Sequence, residues 1–197
     1  MFTEDFNQLI QEFGVPIRLN IETVTRKAIL TNSKVSDSLP NFDDKSIHTN
    51  FKIKRGDVIA YEGVKYLIIT DIQSKRSYEY KATIRPMTNT FTYTYYSDGY
   101  YEEVDRHGSP IWIIEPGELT EELPCVAFQE GSPTLTSGQI VMPETRIKII
   151  MPDNEVTALI AMTSEHSIIN HNYRVVDINL LQSGLRIFTM EWVAQSA

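Results

Sequence analysis

The chain has 197 residues, 42% of them hydrophobic, and a formal net charge of −8. This length and composition favour a folded protein of one large or two small domains. The acidic balance argues against non-specific binding along nucleic acid, which requires clustered Lys and Arg. A single cysteine, Cys125, excludes an internal disulfide framework and is typical of a reducing compartment. No stretch reaches the roughly 20 apolar residues of a membrane span, so we expect synthesis in the cytoplasm and no membrane partner.

The N-terminal segment predicts one short amphipathic helix. Thr3 marks its start and Gly14 its end. Four apolar side chains fall at i, i+3, i+4 and i+7 and form one stripe: Phe6, Leu9, Ile10 and Phe13. So aromatic a stripe must dock on a surface, either the protein's own sheet or a neighbouring subunit. Phe6 and Phe13 are therefore candidate interaction residues.

The chain up to residue 86 reads as a series of β-strands with short turns. Ile17–Ile21 and Arg26–Leu30 have the alternation of a hairpin. Val58–Tyr61 and Val64–Ile69 flank a two-residue turn signal, and Tyr78–Ile84 supplies a further strand. These patterns predict a β domain behind the helix.

A polar segment, Thr31–Asn50, interrupts these strands. Twenty residues without periodicity are uncommon inside a compact domain and are usually functional or mobile. We expect a surface loop, either mobile or ordered on assembly. Its carboxylates Asp43 and Asp44 lack the alternating oxygen donors and glycine of a calcium loop, so they are candidate interaction residues and not metal ligands.

A tyrosine-rich stretch follows from Phe91. Tyr93 and Tyr95 share one face of a predicted strand, Asp98-Gly99 is a hairpin turn signal, and Tyr100 begins the predicted return strand. Such a ribbon suits packing under a sheet, an interface between subunits, or stacking against sugars or bases. Acidic neighbours at 102, 103 and 105 make base stacking the weakest of these.

The strong breaker at 115–118 predicts a boundary between two domains. Residues 1–114 would hold the helix and a β domain with the tyrosine-rich hairpin, and residues 115–197 a second small β domain. The second part is a succession of short β runs: Leu123–Phe128, Gln139–Met142, Arg146–Ile150, Ala158–Met162, Tyr173–Ile178 and Leu185–Trp192. The predicted fold is mostly β, with two small β-sandwich or β-barrel-like domains and a short N-terminal α-helix.

No pattern in the chain points to catalysis. The four histidines are scattered without the spacing of a zinc protease, and no glycine-rich phosphate loop or nucleophile elbow is present. Cys125 lies in a short apolar run typical of a buried structural thiol. We expect a protein that is not an enzyme and needs neither a cofactor nor a metal.

Three segments carry a resemblance. Ile53–Ile69 contains a basic residue, Gly-Asp, an aliphatic pair, a short turn, then Tyr and an aliphatic strand, and Tyr80–Pro86 continues the pattern. Asn172–Ile178 repeats the Tyr-aliphatic-Asp-Ile order in the second half. Together they resemble the β-rich neck proteins of tailed bacteriophages, the head-closure and head–tail connector family.

The resemblance implies a structural virion protein, made in the host cytoplasm, that forms a homo-oligomeric ring in the neck. Such a ring contacts the portal protein and the tail or tail-terminator protein, closes the filled capsid and lets DNA pass without specific binding. Two alternatives stay open. One is a tail or baseplate structural protein; the other is a carbohydrate-binding β module with an aromatic platform made by Tyr93, Tyr95, Tyr100 and Trp112.

Overall fold

The computed structural model describes residues 2–32, 43–75, 78–129, 134–136, 139–141, 146–168 and 171–193. Within these ranges lie two helices, α1 (Phe2–Phe13) and α2 (Glu155–Ala158). The strands are β1 (Val15–Leu19), β2 (Thr25–Asn32), β3 (Lys45–Thr49), β4 (Val58–Tyr61), β5 (Val64–Ile68), β6 (Gln73–Lys75), β7 (Glu79–Pro86), β8 (Asn89–Ser97), β9 (Tyr100–Val104), β10 (Pro110–Ile114), β11 (Gly117–Gln129), β12 (Thr134–Thr136), β13 (Gln139–Val141), β14 (Arg146–Pro152), β15 (Glu165–Ile168), β16 (His171–Asn179) and β17 (Leu185–Trp192). The prediction of a mostly β protein with a short N-terminal helix is confirmed, and the β units are two six-stranded barrels.

The first barrel is antiparallel, with strand order β1-β2-β3-β7-β5-β4, and β4 pairs back onto β1. β7 pairs with β3 along one edge and with β5 and then β6 along the other. Alternate residues of these strands point inward and build a core of Ile17, Leu19, Ala28, Ile47, Ile53, Ile59, Tyr66, Ile68, Ala82 and Ile84. Closure leaves the six strands with few free edges.

Two local predictions are confirmed in this barrel. β1 and β2 form the expected antiparallel hairpin, with Val15 opposite Ala28. β4 and β5 are joined at Glu62 and Gly63, whose φ angles are 48° and 80°. Two successive positive φ angles match the right-handed twist of a tight hairpin, and glycine adopts them without steric cost.

Helix α1 docks on its own barrel through a narrower contact than its apolar stripe predicts. Ile10 is buried, and Lys27 of β2 donates from Nζ to the Gln11 carbonyl oxygen at 2.8 Å. Phe6 is half-buried against Tyr78, with ring centroids 6.0 Å apart. Phe13 exposes 63% of its surface. The helix therefore uses one side of the stripe and leaves the other in solvent.

The second barrel has strand order β8-β11-β14-β17-β16-β15, and β15 pairs back onto β8. Its core is Phe91, Tyr93, Cys125, Ile149, Met151, Ile160, Ile168, Val175, Phe188 and Met190. Cys125 is fully buried, and burial raises the pKa of its thiol to about 12. The thiol is therefore protonated and structural at neutral pH, as its apolar sequence context predicted.

The predicted strand Ala158–Met162 is wrong. Asn154 caps α2 instead: its Oδ1 accepts from the Thr157 backbone N–H at 2.9 Å, and Thr157 Oγ1 accepts from the Asn154 N–H at 3.0 Å. This reciprocal capping box starts α2 at Glu155, and α2 ends at Ala158, the first residue of the predicted strand. A turn then leads the chain into β15.

The prediction of a loop over Thr31–Asn50 is wrong at both ends, since β2 continues to Asn32 and β3 begins at Lys45. β3 joins β2 on one side and β7 on the other, so it is an integral strand of the barrel wall. Its two buried residues are Ile47 and the polar Thr49, and a polar residue on the buried face hid the period-2 pattern in sequence. The central part of the predicted loop, residues 33–42, lies outside the described residues.

Two residues, Met87 and Thr88, link the two barrels along the chain, and strand pairing shows which strands belong to each. The tyrosine-rich strand β8, grouped with residues 1–114 on sequence grounds, hydrogen-bonds to β11 and β15 and so belongs to the second barrel. The chain leaves the first barrel at Pro86, the end of β7, and enters the second at Asn89, the start of β8.

An apolar cluster holds the two barrels together. Its buried members are Leu67, Met87, Val126, Ile150 and Leu185, drawn from both barrels and the link between them. Beside it, the backbones of Gly56 and Gly184 meet so closely that a Cβ on Gly56 would lie 1.9 Å from the Gly184 carbonyl oxygen. Both glycines have positive φ. The join is therefore a packed interface that tolerates no side chain at this point.

Candidate functional site

The β8–β11 hairpin runs far beyond the wall of the second barrel. Its ladder extends from Asn89 opposite Cys125 to Ser97 opposite Gly117, and the β9–β10 ladder follows. β15 pairs with β8 only at Phe91 and Thr92, and β14 pairs with β11 only from Val126 onward. We call residues 94–120 the β-arm. The ten residues from Tyr95 to Val104 span about 33 Å at the rise of an extended strand.

The turn at the tip of the β-arm was not predicted from sequence. Asp105 Oδ1 accepts hydrogen bonds from the backbone N–H groups of His107 at 2.8 Å and Ser109 at 2.9 Å. Gly108 has a φ of 82°, and the Asp105 N–H donates to the Ser109 carbonyl oxygen at 2.8 Å. An aspartate that binds the backbone two residues on, followed by a left-handed glycine, is a common turn signal.

The predicted hairpin turn at Asp98-Gly99 is wrong. β9 pairs with β10, not with β8, so the chain continues outward at this point. Gly99 has a φ of 78°, and a Cβ there would lie 2.7 Å from the Ile114 carbonyl oxygen. The Asp-Gly pair therefore marks an irregularity opposite Glu115 and Pro116, where the ladder of the arm is interrupted.

The β-arm exposes apolar side chains on both faces. Eight of them expose between 37% and 69% of their surface: Tyr96, Tyr100, Tyr101, Val104, Ile111, Trp112, Ile113 and Ile114. Monomeric proteins rarely show so many neighbouring apolar groups, and such patches mark interaction sites. A two-stranded ribbon is also marginally stable by itself. The arm is the strongest candidate interaction surface among the described residues.

Contacts inside the β-arm order its side chains. Tyr101 and Trp112 lie edge to face with ring centroids 5.2 Å apart, and the Tyr100 hydroxyl donates to Glu102 at 2.8 Å. At the base of the arm, the Tyr95 hydroxyl donates to Glu121 at 2.7 Å. That hydrogen bond, with lesser help from burial, raises the pKa of Tyr95. The aromatic groups are thus held in place by the arm itself before any partner arrives.

The charge of the β-arm is strongly negative. Six carboxylates lie between residues 98 and 118, against one arginine, Arg106: Asp98, Glu102, Glu103, Asp105, Glu115 and Glu118. Every one of them is exposed. Apolar groups mixed with unneutralised carboxylates predict a partner surface that is both apolar and basic.

The structure separates the tyrosines that the sequence grouped together. Tyr100 lies on the arm and is 51% exposed, whereas Tyr93 is a core residue of the second barrel, 7% exposed. Tyr95 is half-buried between them and stacks on Tyr93 at 5.4 Å. With Tyr93 buried, the four aromatic residues proposed for a glycan platform, which include Trp112, do not share one surface.

Asp43 and Asp44 lie far along the chain from the arm, at the start of β3. Asp44 accepts two hydrogen bonds from Arg85, from Nε to Oδ1 and from Nη2 to Oδ2, both 2.8 Å. Both side chains are mostly buried, so this pair fastens β3 to the end of β7. Asp43 is exposed at the rim of a cleft of about 310 Å³ between the barrels. Asp44 therefore has a structural role in its ion pair with Arg85, whereas the Asp43 side chain is exposed to solvent.

The structure has other concave regions, and these are open clefts at the protein surface. One cleft of about 530 Å³ lies at one end of the second barrel and is lined by apolar and mixed side chains that include Phe128, Arg146 and Trp192. Among the described residues no group of three or more His, Cys, Asp or Glu is placed to hold a metal ion. In the same part of the chain no helix has the length and apolar content to span a bilayer.

Comparison with known proteins places the chain in a family. The model of the YomX N-terminal domain matches residues 1–86, which end where β7 ends. The model of the YomX C-terminal domain matches residues 50–191 and so includes the β-arm. No curated protein and no solved structure shows significant similarity. The chain belongs to the YomX family, a phage-derived family of the SPβ type.

Proposed function

We propose that this phage-associated protein is a structural, non-enzymatic component of the virion that forms a ring in the neck. There it closes the filled capsid below the portal and docks the tail. The observation that carries the proposal is the β-arm, whose exposed apolar and acidic side chains suit an assembly contact. The YomX membership supports the phage origin.

The division of labour within the chain supports an assembly role. The two closed barrels have buried cores, whereas the arm projects from the second barrel with no third strand beside it among the described strands. In an assembly a partner would cover the apolar groups of the arm. Burial of apolar surface would then stabilise both the arm and the contact.

The charge of the chain is compatible with a ring around DNA. A net charge of −8 repels phosphate, so DNA in the lumen would pass without adhering to the wall. The portal protein on one side and the tail or tail-terminator protein on the other are the partners of this proposal.

The test is a phage from which the gene has been deleted, compared with the same phage complemented by the wild-type chain. We expect the deletion to give filled heads that lack tails and lose DNA, and complementation to restore whole particles. Antibody labelling in electron micrographs should place the chain between head and tail. Label at the tail tip would indicate a tail or baseplate protein, and normal tailed particles from the deletion would overturn the structural role.

A further inference from the structure

The two halves of the chain carry opposite charge. Residues 15–87, which contain the first barrel, hold 13 Lys and Arg and 8 Asp and Glu. Residues 88–197, which contain the second barrel and the β-arm, hold 5 and 15. The overall charge of −8 therefore hides a basic half and an acidic half.

Most of the cationic side chains in the acidic half are already in ion pairs. Three of its arginines are in ion pairs with neighbouring carboxylates: Arg146 with Glu191, Arg174 with Glu165 and Arg186 with Asp153. The carboxylates of the β-arm receive none of these cations. Arg106 is the one cation that the arm itself supplies, so the remaining counter-charge must come from solvent ions or from another surface.

The basic half has exposed cationic side chains that form no ion pair within the described residues. Arg18 of β1, Ala60 of β4 and Lys65 of β5 lie side by side in register across three strands. Arg18 and Lys65 are both exposed, and within the described residues neither forms an ion pair. Neighbours in register share one face of a sheet, so the two cations make a basic row on the outside of the barrel.

Apolar groups flank this basic row. Ile21 exposes 98% of its surface and lines, with Lys65, a cleft of about 390 Å³ between the barrels. Val64 exposes 39% and lines, again with Lys65, a second cleft of about 490 Å³. We call Arg18, Ile21, Val64 and Lys65 the receptor face. It combines the two properties that the β-arm requires of a partner, positive charge and exposed apolar surface.

We propose that the β-arm of one copy docks on the receptor face of a second copy. This inference rests on the ring in the proposed function and names its contact. The arm and the receptor face are different surfaces, so each copy offers one of each. A contact of that kind repeats head to tail and closes into a ring when the rotation between copies allows it.

The test exchanges the charges of the two surfaces in the full-length protein. The arm variant is E102K/E103K and the face variant is R18E/K65E, all at exposed positions. Light scattering and sedimentation velocity measure association, and circular dichroism confirms the fold. We expect the wild type to associate and each variant alone to associate at least about tenfold more weakly, because like charges then face each other. An equimolar mixture of the two variants restores complementary pairs and should associate again.

Two controls separate this contact from a general effect of charge. E12K/D177K makes the same change in net charge as the arm variant at exposed sites on α1 and β16, and should associate like the wild type. Raising NaCl from about 0.1 M to about 1 M, which shortens the Debye length from about 10 Å to about 3 Å, should weaken the wild-type assembly.

Each contrary result has its own meaning. A wild type that associates while both variants associate equally well overturns docking through the arm and leaves the ring intact. Variants that fail singly and also fail when mixed overturn the pairing of these two surfaces. A wild type that stays monomeric at its highest soluble concentration overturns self-docking, while the virion location of the chain decides the proposed function independently.

Discussion

The two barrels share a strand number and an antiparallel wall, but they end their hairpins differently. In the first barrel β4 turns into β5 within two residues, at the edge of the wall. In the second barrel the β8–β11 hairpin leaves the wall and continues through β9 and β10 before it turns at Asp105. The short β4–β5 turn keeps apolar residues inside the first barrel, whereas the long β8–β11 hairpin exposes apolar residues to solvent. The comparison shows that the buried side chains lie in the barrels, whereas the β-arm leaves its apolar side chains exposed to solvent.

The largest expected effect tests this separation directly. Phe188→Ala in the second barrel removes a fully buried ring that packs 6.5 Å from Phe91. It should lower the free energy of unfolding by about 3–5 kcal/mol in urea denaturation. The matched control, Ile113→Ala, removes an arm side chain that is 59% exposed and should change it by less than about 0.5 kcal/mol. A comparable loss in both variants would show that the arm contributes to the fold.

A smaller effect is expected at the join between the barrels. Gly56→Ala places a Cβ against the Gly184 carbonyl oxygen and also forces alanine to a φ of 88°. The control is Gly63→Ala, which has a similar φ of 80° but no atom within 4 Å of the new Cβ. We expect the control to lose about 1 kcal/mol from backbone strain alone and Gly56→Ala to lose clearly more. Equal losses would mean that the barrels separate at little cost.

The smallest effect concerns pH and belongs to the second barrel alone. Burial lowers the pKa of His166, which packs against Phe91 at 4.7 Å and shares a hydrogen bond with Ser164. A lowered pKa means that the folded protein binds this proton less well than the unfolded chain. The contribution of His166 is therefore present above pH 6.5, the value of an unperturbed histidine, and is lost as the pH falls through the lowered pKa.

Urea denaturation between pH 7 and pH 5 measures this dependence. The difference between the wild type and His166→Gln isolates it from the titration of carboxylates, and we expect the variant to lose less stability on acidification. Parallel profiles for the wild type and His166→Gln would contradict the burial of that ring.

The sequence predicted the elements whose signals are local. The β1–β2 hairpin, the turn at Glu62-Gly63 and the buried thiol of Cys125 each depend on a few neighbouring residues. The failures involve partners far away in the chain. Asp98-Gly99 has the composition of a turn, but β8 finds its partner in β11 about 20 residues later, and long-range pairing overrides a local preference.

The candidate site could be predicted from sequence only in part, for a similar reason. The apolar run Ile111–Ile114 has the composition of a β-strand, but sequence alone does not tell whether an apolar strand is buried or exposed. Its exposure follows from the absence of a third strand beside the arm in the described part of the chain. Tyr93 and Tyr95 show the opposite error, because their alternation suggested an exposed aromatic platform. In the structure Tyr93 is a core residue of the second barrel, and Tyr95 donates to Glu121 at the base of the arm.

The interruption of the ladder at Asp98-Gly99 divides the arm into a base and a distal ribbon. Hydrogen bonding stops between the Ser97–Gly117 pair and the Tyr100–Ile114 pair, and Pro116 has no N–H to offer there. The distal ribbon is therefore attached to the base by two single strands of backbone whose dihedral angles set its direction. A change in these angles would redirect the tip of the β-arm relative to the second barrel.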